Sequence, residues 1–120
     1  MYYWRKKVVY DIQEEKWLIS EKWAITKEYK DTCIAIMQDN LAPLRAKAGI
    51  TQEELSNIIG CSRQTYYAYE TNQRTMPWST FLLLSFFYHE LNTTTTMLDE
   101  LKIYPIELIS KINSEISIQL

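Results

Sequence analysis

A chain of 120 residues with 47% hydrophobic side chains can bury one substantial core, so one domain with appendages is expected rather than a string of domains. Two Gly and three Pro leave it almost uninterrupted, and no alternating Val/Ile/Thr pattern runs through it, which points to a mainly α fold. A net charge of −2 argues against an indiscriminate polybasic binder of nucleic acid. No stretch approaches the roughly 20 apolar residues of a membrane span, and MYYWRKKVVYD lacks the apolar core of a secretory signal, so a soluble, cytoplasmic chain without membrane contact is expected.

In chain order, residues 1–40 read as an N-terminal extension. Its aromatic and β-branched opening around Arg5, Lys6 and Lys7 leaves three forms open: a short strand, an irregular arm or a fraying helix. Helix-forming composition then predicts a helix from Glu14 to about Met37, with Leu18, Ile25, Tyr29, Cys33 and Ile36 near one stripe. Asp39 and Asn40 precede Pro43, which suits a first helical turn, so a new helix starts or kinks there and ends at Gly49. Thr51 to Glu54 forms a capping box that opens a helix at Gln52; Leu55, Ile58 and Ile59 are its expected apolar face and Gly60 its end. Ser62 caps the next helix, Arg63 to Glu70, with Tyr66 and Tyr69 turned inward. Two short helices across a tight Gly-containing turn have helix-turn-helix geometry.

Asn72 tolerates the left-handed conformation, and Pro77 sets up the next helix. That helix, Trp78 to Leu91, is apolar on most sides and is expected to be a core helix with a second face on a partner subunit. Asn92 to Thr96 reads as a loop ending in a helix cap. Two C-terminal helices follow, Met97 to Ile103 and Pro105 to about Ile118, the second with Ile106, Ile109, Ile112 and Ile116 on one face. The expected organisation is thus an extension over 1–40, a helix-turn-helix domain over 41–96, and C-terminal helices over 97–120 that complete the core or dimerise.

The stretch LRAKAGITQEELSNIIGCSRQTYYAYETNQRTMP, residues 44–77, resembles the Cro/repressor-type (XRE-like) helix-turn-helix family of bacterial and phage transcriptional regulators. The likeness joins Arg45 before Gly49, Thr51 with Gln52, Leu55 with Gly60, Ser62 with Glu70, and a basic loop ending at Pro77. It implies an all-α, compact helix-turn-helix bundle of about five helices, to which the N-terminal extension and the C-terminal helices are added. It also implies a DNA-binding set. Gln52 and the helix N-terminus beside it meet a phosphate. Arg63, Gln64, Thr65, Tyr67 and Ala68 face outward, where Arg can pair with guanine, Gln with adenine and the Ala68 methyl can meet a thymine methyl. Asn72 and Arg74 lie in the loop that touches the DNA backbone. Arg45 and Glu70 take positions that form an internal ion pair in this family, a structural role. Two departures stand out: Thr71 and Asn72 occupy the place of the family's usual Asn-Gly, and three tyrosines in one recognition helix leave few polar groups for reading bases.

Around the helix pair, Arg45, Lys47, Arg63 and Arg74 face Glu53, Glu54 and Glu70, whereas after residue 75 acidic residues prevail. Arg5, Lys6 and Lys7 leave two readings open, an arm over the phosphate backbone or minor groove and a solvated cluster. Trp4, Trp17, Trp23 and Trp78 read as core or dimer contacts in preference to a ligand pocket. His89 reads as a core or boundary residue. Cys33 and Cys61, without a CxxC or a neighbouring His, are expected as buried free thiols, with no metal and no cofactor. Neither a nucleophile elbow, a phosphate loop nor a metalloprotease motif is present, so no enzyme is expected. The resulting expectation is a homodimeric repressor that binds duplex DNA as a sequence-specific regulator. Its alternatives are an antitoxin whose residues 1–40 engage a toxin, and a protein–protein interaction module that kept the fold without DNA binding. Exposure of Arg63 and Gln64 beside a positive surface separates the first reading from the last.

Overall fold

The computed structural model of the chain describes residues 10–11, 16–17 and 23–119, with side chains from 23 to 114. Two short strands, β1 (Tyr10–Asp11) and β2 (Lys16–Trp17), pair antiparallel with Tyr10 opposite Trp17. The other described elements are helices: α1 (Lys27–Asp39), α2 (Leu41–Ala48), α3 (Gln52–Ile59), α4 (Arg63–Glu70), α5 (Trp78–Glu90), α6 (Thr95–Leu101) and α7 (Ile106–Gln119). The fold class is all-α. Trp4, Arg5, Lys6, Lys7, Glu14 and Leu18 lie outside the described residues, as does the side chain of Trp17.

The helix expected from Glu14 begins at Lys27 instead. Lys16 and Trp17 are held in β2, and the Thr26 hydroxyl accepts the Tyr29 N–H (3.2 Å), which caps the first turn of α1. The buried stripe of α1 is also displaced from the expected one. Cys33, Ile34, Met37 and Gln38 are buried, and Ile36 is only half-buried.

The chain divides into two compact units, residues 30–104 and residues 1–29 with 105–120. The first takes in most of α1 and all of α6 besides the expected 41–96. Its core is built from Met37, Leu41, Leu44, Leu55, Tyr66, Phe81, Leu84, Tyr88, Leu98 and Ile103, each at most 1% exposed. Burying a large apolar side chain contributes about 1.5–3 kcal/mol, so this set outweighs any single surface contact. Phe81, Leu84 and Tyr88 fall at steps of three and four, which makes one side of α5 the spine of the unit. Leu83 and Phe86 on the other side stay exposed, at 38% and 59%. Trp78 stacks on Phe81 at 4.7 Å, and the Lys30 ammonium lies 5.8 Å from its ring centre.

The threonine run after α5 does something other than open the next helix. Thr94, fully buried, donates to the Tyr88 carbonyl (2.7 Å), and Thr95 donates to the His89 carbonyl (2.7 Å). The hydroxyls thus satisfy carbonyls that the end of α5 leaves without helical partners, and α6 starts at Thr95 with no side-chain cap. In the other unit, α7 carries the expected isoleucines with Ile106 and Ile112 exposed and Ile109 half-buried.

Candidate nucleic-acid interface

Local sequence sets both helices of the central pair. The Thr51 hydroxyl accepts the Glu54 N–H (3.0 Å) while the Glu54 carboxylate accepts the Thr51 N–H (2.9 Å), closing the capping box at the start of α3. That bond from the Thr51 backbone holds the Glu54 carboxyl below its ordinary value. Gly60, at φ 81°, ends α3, and its N–H returns to the Ser56 carbonyl (2.9 Å). Two residues on, Ser62 accepts the Thr65 N–H (3.0 Å) and opens α4. The inward stripe of α3 differs from expectation at one position. Leu55 and Ser56 are buried and Ile59 half-buried, whereas Ile58 is 47% exposed.

A buried carboxylate ties the pair to α2. Glu70, at the end of α4, accepts Arg45 Nε (2.9 Å) and Nη2 (3.2 Å), Gln52 Nε2 (3.0 Å) and Tyr66 Oη (2.6 Å). Arg45 also donates to the Ile50 carbonyl (3.1 Å). Burial alone would raise the Glu70 carboxyl, but the bonds from Arg45, Tyr66 and Gln52 hold it below the ordinary range. Its hydrogen bond to Arg45 raises the guanidinium in turn, and burial with the Glu70 bond pushes the Tyr66 phenol up. The expected Arg45–Glu70 ion pair is therefore present, and Gln52 donates a hydrogen bond to the same carboxylate. One Gln52 N–H is thus committed inward, to Glu70.

On α4 the exposed face consists of Arg63, Gln64 and Tyr67, continued by Thr71. Thr65 is half-buried, its hydroxyl accepting from Ser62 (3.0 Å). Ala68 does not face outward. It is 9% exposed, and the loop after α4 returns to its backbone, where the Gln73 and Arg74 N–H groups both donate to its carbonyl (2.8 and 3.2 Å). Its methyl is therefore covered by protein and withdrawn from the expected base-contact set. Asn72 takes the left-handed conformation (φ 60°), and Arg74 is exposed with Nη1 3.5 Å from Thr65 Oγ1. An open groove lined by Gln52, Glu53 and Arg63 runs from the start of α3 toward α4. Charge along this face is mixed, with Glu53 sharing the groove with Arg63 and Arg45.

One residue of the site escaped the sequence reading. Gln38 of α1 is 5% exposed, and its side-chain amide donates to the Tyr69 carbonyl (2.9 Å), the Arg74 carbonyl (2.9 Å) and Asn72 Oδ1 (3.3 Å). Its oxygen accepts the Met76 N–H (2.8 Å). No sequence signal marked it, since its partners lie 31 to 38 residues away.

Elsewhere, Cys33 is buried and in no disulfide, while Cys61 is only half-buried and its thiol is pushed up by burial. His89 is half-buried and stacks on Tyr104 at 4.0 Å. Among the described residues no cluster of His, Cys, Asp or Glu could hold a metal ion, and no helix is long and apolar enough to cross a membrane.

Two helices across a three-residue turn, the second presenting polar side chains outward and the first anchored by its N-terminal cap, define a helix-turn-helix. Residues 43–77 match the helix-turn-helix family model, which covers α2 from Pro43, α3, α4 and the loop to Pro77. This segment is therefore a helix-turn-helix, in agreement with the Cro/repressor-type (XRE-like) resemblance of its sequence. No match is found among curated proteins or among solved structures.

Proposed function

We propose that the chain is a sequence-specific repressor that reads the major groove of duplex DNA with α4. The observation that carries this reading is the joint exposure of Arg63, Gln64 and Tyr67 on a helix whose opposite side is locked by Tyr66, Tyr69 and the Glu70 network. A rigidly held helix with free Arg and Gln side chains suits bidentate pairing with base edges, each good pair worth about 1–3 kcal/mol of discrimination. Gln52 with the α3 N-terminus, Asn72 and Arg74 supply backbone contacts that set its register. Thr65, turned toward Ser62, supports the helix start. The protein acts as a cytoplasmic homodimer and not as an enzyme. Leu83 and Phe86 of α5 belong to the dimer contact, and two copies of α4 enter successive major grooves about 34 Å apart.

Fluorescence anisotropy on labelled duplex DNA tests the reading, with wild type compared with an Arg63→Ala/Gln64→Ala variant at low and moderate salt. Salt-sensitive binding that the variant loses while keeping its helical circular dichroism is the expected result. Absence of binding by wild type at low salt would remove the DNA reading and favour a protein-binding module.

A further inference from the structure

We infer that Gln38 of α1 is a positioning residue for DNA binding: it sets the loop after the recognition helix so that Arg74 stands at the height of a phosphate. The inference rests on the DNA-binding reading above. α1 lies outside the segment that resembles the helix-turn-helix family, yet its Gln38 amide is clamped between the last turn of α4 and the loop exit. The same nitrogen holds the Tyr69 carbonyl and the Arg74 carbonyl at 2.9 Å each, which spans the loop from side to side. Opposite it, the oxygen holds the N–H of Met76, a residue 1% exposed.

Within that frame the loop has little freedom. Asn72 is left-handed, the Gln73 and Arg74 N–H groups converge on the Ala68 carbonyl, and Asn72 Nδ2 reaches Asp39 (3.3 Å). The Arg74 carbonyl that Gln38 holds is one bond from the Cα that carries the exposed guanidinium. A phosphate contact depends on where that Cα sits, because a long side chain on a loose loop loses entropy when it is captured. Asn in place of the family's usual Gly leaves this turn dependent on such support, and a buried amide with both its donor and acceptor sides engaged is well suited to provide it.

The test is a double-mutant cycle of wild type, Gln38→Met, Arg74→Ala and the double variant, read by anisotropy on random-sequence duplex DNA over a salt series. Met keeps the length of Gln and deletes its hydrogen bonds. Each single variant is expected to weaken binding roughly tenfold and to lower the salt slope by about one phosphate contact. The double variant is expected to bind no more weakly than Arg74→Ala alone. Losses that multiply in the double variant, or an unchanged salt slope for Gln38→Met, overturn the inference and leave the DNA-binding reading standing. No salt-dependent binding by wild type overturns both. Where circular dichroism shows Gln38→Met unfolded, Gln38→Asn carries the same cycle, since it keeps the amide in the core and shortens only its reach.

Discussion

Glu70 concentrates more chemistry than any other side chain of the helix pair. Four donated hydrogen bonds converge on one carboxylate that is 8% exposed, from residues on α2, α3 and α4. Its folded value lies below the ordinary one, so it stabilises the fold above the unfolded carboxyl value, and that stability is lost as pH falls through the folded value. Glu54 acts in the same direction through its capping bond. The melting temperature of wild type is therefore expected to fall as pH drops from about 5 to about 3. Glu70→Gln is expected to cost about 2 kcal/mol at neutral pH, with the deficit against wild type shrinking over that acid range. A deficit constant with pH, measured by thermal melts, would show that the charge of Glu70 does not contribute.

At the scale of elements, helix ends carry most of the specification. α3 and α4 are only eight residues each, too short to persist alone, so caps and packing must hold them. The left-handed ends provide a comparison of opposite sign. At Gly60 a Cβ would meet nothing within 4 Å, so Gly60→Ala is destabilising through the backbone alone, by about 1 kcal/mol. Lys102 ends α6 at φ 58° and carries that cost already. Lys102→Gly is expected to recover up to about 1 kcal/mol, and urea denaturation of the two variants should move their midpoints in opposite directions.

On the whole molecule, Leu83 and Phe86 leave apolar area on α5 uncovered within the chain. The homodimer proposed here would cover it. A Leu83→Ser/Phe86→Ser variant is expected to keep its fold, since neither residue belongs to the core, and to sediment as a monomer where wild type sediments as a dimer at tens of micromolar. Wild type that sediments as a monomer in ultracentrifugation would remove the dimer from the proposal. DNA affinity of the variant is expected to drop more steeply on a two-half-site duplex than on a single half-site, because linkage of two sites is what is lost.

From residue 41 to residue 91 the sequence by itself determined the elements. The capping box, the glycines after α2 and α3, the Ser62 cap and Asn72 act within a few residues of one another, and local signals of that kind need no knowledge of the fold. The Arg45–Glu70 pair was legible through the family resemblance. Tertiary structure alone decided the rest. Gln38 meets partners 31 to 38 residues away, so no periodicity in α1 announces them. Ala68, expected on the outward face, is buried in the packed fold. The threonines after α5 turned back to the preceding helix because free carbonyls there competed with the next helix for their hydroxyls. At Gln38 a polar group found its partners through chain closure, and chain closure is a property of the packed fold.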